Sequence, residues 1–140
     1  MKRSLVLFAA ALIGCASLGG PYGPYHSVEG VLSMPDRFND RNVRVCGWFI
    51  ADQDTCTLSQ AVNAPGLDDP NATIWVTPYS DICLPFSTWR KPRATWAVVE
   101  GKFRTGGGWG HFGLYPYTID GGTVKPVRGG CDATGSSPIN

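Results

Sequence analysis

The sequence lacks an apolar run long enough to cross a bilayer: LVLFAAALI, at residues 5–13, has nine residues, against the roughly 20 that a hydrocarbon core requires. Histidine is scarce, His26 and His111 being the only two. No serine stands in a nucleophile-elbow context, so no serine, histidine and acid set is called for. No two cysteines have the close C-x-x-C spacing of structural zinc. The glycine run TGGGWG at residues 105–110 lacks the GKS or GKT ending of a phosphate-binding loop, and Asp52-Gln53-Asp54 lacks the remainder of a calcium loop. A marked excess of basic over acidic residues, or the reverse, is also missing. The formal net charge is +1, which gives no electrostatic reason to expect nucleic acid as a partner. No internal repeat or second domain boundary is visible. No catalytic residue, metal or cofactor is therefore expected.

What is present begins at the N-terminus. Lys2 and Arg3 precede the apolar run, and these are the length and flanks of a secretory signal, whose apolar region is about 7–15 residues long. The run ends in Leu12-Ile13-Gly14-Cys15, which resembles the lipobox of bacterial prolipoproteins. That resemblance implies cleavage before Cys15, a diacylglyceryl group on its thiol and acylation of the new amine. Two or more acyl chains would hold the protein at a bilayer, where one is marginal. Ala16, in place of the aspartate associated with inner-membrane retention, resembles the pattern of lipoproteins sorted to the outer membrane. The expected address is the outer membrane, facing the periplasm or the cell surface.

With Cys15 acylated, Cys46, Cys56, Cys83 and Cys131 remain, an even number in an oxidising compartment. Two disulfides are expected, and three connectivities are open. Loss of Lys2 and Arg3 leaves ten basic residues against eleven acidic ones. The organisation read from the chain is a signal at 1–14, a lipidated cysteine and tether at 15–29, one disulfide-bonded β domain at 30–131 and a tail at 132–140.

Within the domain, Ser33 to Phe38 has the composition of a short helix. Ser33 can cap it, Pro35 suits its first turn and Asp36 meets the positive end of its dipole. Residues 43–50, VRVCGWFI, alternate as a strand, with Val43, Val45, Gly47 and Phe49 on one face. Residues 55–60, 73–77 and 94–104 predict further strands. The glycine run at 105–110 predicts a loop, and Asp120-Gly121-Gly122 predicts a tight hairpin turn. Residues 32–48, with their short helical segment and V-x-V-x-G strand, resemble the opening of OB-fold-like domains in exported bacterial proteins. The fold class expected on that resemblance is all-β, a small OB-fold-like barrel with a short N-terminal helix, stabilised by disulfides. Lipocalin-like and β-sandwich layouts are the competing arrangements.

The remaining candidates for function are aromatic and basic: Trp89, Arg93, Lys102, Arg104, Trp109 and His111 form the expected binding surface. A tethered module with such a surface is expected to bind an envelope protein or a glycan, or to support an envelope assembly. The alternatives are a small periplasmic hydrolase built around His111 and Glu100 or Asp120, and a carrier of a small apolar ligand.

Overall fold

The computed structural model describes residues 25–61, 69–85 and 93–131. Six strands form one sheet: β1 (His26–Ser27), β2 (Arg41–Ala51), β3 (Cys56–Ser59), β4 (Thr73–Thr77), β5 (Arg93–Trp109) and β6 (Tyr115–Pro126). Two helices, α1 (Val28–Leu32) and α2 (Pro35–Phe38), join β1 to β2. A π-helical turn, Tyr79–Cys83, follows β4, and a 3-10 turn, His111–Gly113, joins β5 to β6. No helix among the described residues is long and apolar enough to cross a membrane. The residues expected as signal and lipobox, Cys15 among them, lie outside the described residues.

The sheet order is β1-β2-β3-β4-β6-β5, with an additional pairing of β2 to β5. β2 pairs antiparallel with β5 along its whole length, from Arg41 opposite Phe103 to Ala51 opposite Arg93. β3 pairs antiparallel with both β2 and β4. The pairings β1–β2 and β4–β6 are parallel. This corrects the expected all-β, OB-fold-like barrel with one short helix: the domain is a mixed parallel and antiparallel β-sheet carrying several short helical segments. The reason is in the connections. The chain passes through α1 and α2 before β2, and through the whole of β5 before β6. Each crossover brings it back in its original direction, which a hairpin cannot do.

The helical segment is likewise divided. Ser27 caps α1, its side chain accepting a hydrogen bond from the Gly30 amide at 3.0 Å, while Ser33 stands at the C-terminal end of α1 rather than at the start of a helix. Pro35 does open α2, but Met34 before it supplies no side-chain cap. Order extends into residues expected as tether, since Tyr25 and Val28 are buried together with Val31. α2 is fastened to β5 where the Thr105 amide donates to Asn39 Oδ1 at 3.0 Å and the Asp40 amide donates to the Phe103 carbonyl at 2.8 Å.

Alternation along β2 divides the apolar residues between two clusters. Val43, Val45, Phe49 and Ala51 join Leu58, Ile74, Val76, Val99, Phe103 and Ile119 in the main core. Cys46 points the other way, into a smaller cluster with Tyr25, Val98 and Val127, against which Trp96 packs. Each cluster contains a disulfide partner. Cys56–Cys83 lies in the main core with both residues fully buried, and Cys46–Cys131 closes the smaller cluster, with Cα separations of 5.8 and 6.0 Å.

Two glycine-rich segments expected as a loop and a turn are strand. Residues 105–109 continue β5, and residues 120–122 lie within β6, whose pairing to β5 shifts register between Glu100 and Lys102 and again between Thr105 and Trp109. Glycine serves a bulged strand as readily as a turn, and the cross-strand partners decide between them.

Candidate functional site

The residues expected to form one binding surface do not all meet. Trp89 lies outside the described residues, and Arg93 is the first residue of β5. Lys102 is exposed opposite Asp120, and Arg104 forms an ion pair with Asp120 at 3.3 Å. Asp120 also accepts a hydrogen bond from Thr77 Oγ1 at 2.9 Å. Trp109 is half-buried and packs against the main core. His111 is exposed at the hairpin tip. Seven positions separate it from Arg104, up to about 23 Å along an extended strand. Arg104 is engaged with Asp120 on the strand, while His111 lies against Phe112 at the tip.

Glu100 does not pair with Arg104, its neighbour along the strand. It makes an ion pair with Arg44 across the β2–β5 register and another with Lys125 Nζ at 3.0 Å. Its pKa is held below the ordinary 4.5, chiefly by the Lys125 hydrogen bond against the opposing effect of burial, with Arg44 adding to the lowering. A lowered folded-state pKa stabilises the fold above the ordinary value, and that contribution disappears as pH falls through the folded value. The cluster is partly exposed, so the effect is small. Glu100→Gln is expected to cost less than about 1 kcal/mol at neutral pH and to shrink the stability difference between neutral and acidic solution. Urea unfolding midpoints at the two pH values measure this; an acid loss as steep as in the parent would show that Glu100 does not carry the pH dependence.

A different constellation is assembled at the hairpin end of the sheet. The β2–β3 turn is built by Asp52, whose Oδ1 accepts from the Asp54 amide at 2.9 Å and the Thr55 amide at 2.7 Å, while the Asp52 amide donates to the Thr55 carbonyl at 2.9 Å. Such side-chain capture of following amides is what fits aspartate to turns. From the other side, the Tyr79 hydroxyl reaches the carbonyls of Asp52 and Gln53. Cys83, at the end of the same π-helical turn as Tyr79, is bonded to Cys56 at the start of β3. The turn is therefore fixed from both sides, and Gln53 and Asp54 project from it exposed.

The hairpin tip folds against Trp75 of β4. Gly110 makes this possible, with a φ of 69° and a position where a Cβ would stand 2.6 Å from the Trp75 ring and 2.8 Å from the Tyr115 ring. The Trp75 and Tyr115 rings lie 4.9 Å apart. Gln53, Asp54, Trp75, Tyr79, Gly110 and His111 line the resulting open depression of about 260 Å³. Beyond its rim, Phe112 takes a left-handed φ of 58° and is 84% exposed, and Leu114 is 59% exposed. The His111 and Phe112 rings meet edge to face at 4.0 Å.

A wider depression, about 550 Å³, lies over Gly101, but its Arg44 and Glu100 are paired with each other. A third, about 300 Å³, lies beside α1, lined by Val28, Leu32 and Ala72 together with Glu29, Ser33, Gln60 and Asn71, and has no aromatic ring in its lining. The hairpin-end depression differs in combining exposed polar side chains with aromatic rings. The aromatic content of residues 111–117 is a sequence signal, but one that fits packing across the sheet equally well. Neither the outward pose of Phe112 nor the Tyr79 contact with residues 52 and 53 has a local sequence signature. No group of histidine, cysteine and acidic residues among the described residues could hold a metal ion. Comparison with protein-family models, curated proteins and solved structures finds no match.

Proposed function

We propose that the protein is an exported, lipid-anchored envelope module that binds a partner through the end of the domain formed by the β5–β6 hairpin tip and the β2–β3 turn. The observation that carries this reading is the pose of Phe112. A bulky residue in the left-handed region is an outlier that costs free energy, and here the cost accompanies an 84% exposed ring instead of burial. Leu114 extends the apolar contact. Scattered exposed apolar residues need no explanation, but two on one fixed tip beside a depression form a compact contact point. The lipobox resemblance supports the address: acyl chains at Cys15 would keep this tip within reach of envelope components.

A photo-crosslinking residue placed at Phe112 in the native host is expected to capture an envelope component, while the same residue at Met34, also exposed but at the α1–α2 junction, is expected to capture none. The Phe112→Ser, Leu114→Ser double variant is expected to lose association with that component and to unfold at the parent's denaturant concentration, because neither side chain is buried. Equal capture from both positions, or none from Phe112, would count against the tip. In the same sample, mass spectrometry of the N-terminal peptide is expected to find Cys15 carrying acyl chains; an unmodified thiol there would remove the anchor.

A further inference from the structure

From the chemistry of the hairpin-end depression, and resting on the binding role proposed for that end, we infer that its ligand is a neutral saccharide. Its aromatic lining is the half-buried Tyr79 and the small part of Trp75, 6% exposed, that core packing leaves open, and its polar lining is Gln53, Asp54 and His111. Among the described residues no lysine or arginine lines it, so these residues offer no fixed positive charge to a phosphate or carboxylate group. The Gln53 amide both donates and accepts, the Asp54 carboxylate accepts, and the His111 imidazole presents two ring nitrogens for hydrogen bonding. Donors and acceptors beside the accessible Tyr79 ring match a sugar ring, which presents hydroxyls at its edge and C–H groups on its face. A quaternary ammonium would use an aromatic ring and Asp54 but would draw nothing from the Gln53 and His111 donors, which would stay with solvent.

Size and rigidity point the same way. A volume of about 260 Å³ falls just below the range of roughly 300–1,000 Å³ that takes drug-sized ligands, which suits a small ligand unit with the rest of a chain outside. Phe112, beside His111 and exposed, is placed to continue the apolar surface toward a neighbouring ring. The turn carrying Gln53 and Asp54 is held by the Asp52 carboxylate and the Tyr79 hydroxyl. Little backbone ordering therefore remains to be done on binding, and that lowers the entropic cost of association. The Tyr79 hydroxyl is committed to carbonyls, so Tyr79 contributes its ring.

Saturation-transfer NMR on the full chain, purified in a detergent without a sugar headgroup, tests this with maltotriose, N,N′,N″-triacetylchitotriose and choline as probes. Transfer to the ring protons of at least one trisaccharide is expected, with an affinity in about the millimolar range typical of few contacts. Asp54→Ala and His111→Ala are each expected to weaken it about tenfold, while Met34→Ala binds as the parent. Both site residues are exposed, and unchanged urea midpoints establish that the variants are folded. Absence of transfer to either trisaccharide, equal transfer in the site variants, or a preference for choline would overturn the inference. Crosslinking from Phe112 to a partner without glycan would overturn the saccharide and leave the binding role standing; absence of any crosslink would remove the role itself.

Discussion

Replacing Cys56 and Cys83 together by alanine is expected to lower the free energy of unfolding by about 2–5 kcal/mol, the usual range for loss of a native disulfide from a small domain. The two disulfides rank differently on two criteria. Cys46–Cys131 spans 85 positions and Cys56–Cys83 spans 27, so a loop-entropy argument makes the longer one worth about 1 kcal/mol more, each doubling of length adding roughly 0.6 kcal/mol. Burial reverses the order. Both Cys56 and Cys83 are fully enclosed in the main core, whereas Cys131 is half-buried. Removing the shorter bridge therefore also removes packing, and similar total losses are expected for the two double variants.

Their consequences for the binding end should differ. The Cys56–Cys83 bond ties the π-helical turn to β3, and that turn places the Tyr79 hydroxyl on the carbonyls of residues 52 and 53. Without it, the β2–β3 turn keeps only its Asp52 contacts. Hydrogen exchange at the Asp54 and Thr55 amides is expected to accelerate in the Cys56→Ala, Cys83→Ala variant and to change little in the Cys46→Ala, Cys131→Ala variant. Urea unfolding and exchange on the same samples check both claims. A loss under about 1 kcal/mol, or equal protection of the two amides in both variants, would sever the link drawn between this disulfide and the site.

How much of the fold is legible in the chain varies with the range of the interactions. β2 announces itself because Val43, Val45 and Phe49 recur at period two, a local pattern that burial then satisfies. Thr73–Thr77 reads as a strand from its composition, and residues 73–76 are indeed buried. Val28–Leu32 is hard to see because the glycines and prolines before it have a tether's composition, while Ser27, its cap, belongs to the same run. The glycines of β5 and β6 are ambiguous for a different reason: a positive φ at Gly106 and Gly121 is compatible with either a turn or an irregular strand, and the partner strand makes the choice.

The site follows the same division. His111 stands out as one of only two histidines, and Asp52-Gln53-Asp54 has the composition of the turn it forms. That they share one depression depends on Tyr79, 26 positions from Gln53, and on Gly110 lying against Trp75, 35 positions away. No local periodicity encodes such a meeting. Lys102 and Arg104 are conspicuous as charges, yet Arg104 is paired with Asp120. Screening of an exposed pair leaves it little energetic weight.

Gly47→Ala is the second substitution expected to act strongly, and here two effects of opposite sign must be weighed. Gly47 lies inside β2 with φ outside the left-handed region, so alanine can adopt its backbone and would restrict the unfolded chain. That change alone stabilises by about 0.4–1 kcal/mol. Against it, the new Cβ would stand 2.6 Å from the Ser59 carbonyl oxygen, 2.8 Å from Val28 Cγ2 and 3.0 Å from Leu58 Cγ. Ordinary nonbonded carbon contacts lie near 3.5–4.0 Å, and overpacking of a filled core costs about 1–3 kcal/mol. The clash outweighs the entropic gain, and a net destabilisation is expected. Val28 is a side chain that truncation can withdraw; the Ser59 carbonyl belongs to the strand paired with β2 at Trp48 and cannot retreat without disturbing that pairing. Val28→Ala should consequently relieve only part of the penalty. In a double-mutant cycle read by urea unfolding, the two substitutions are expected to be less damaging together than the sum of their separate losses, yet the double variant should remain less stable than Val28→Ala alone. Full relief would place the clash on α1 rather than on the β2–β3 backbone, and a Gly47→Ala protein as stable as the parent would show that close approach is not what requires glycine here.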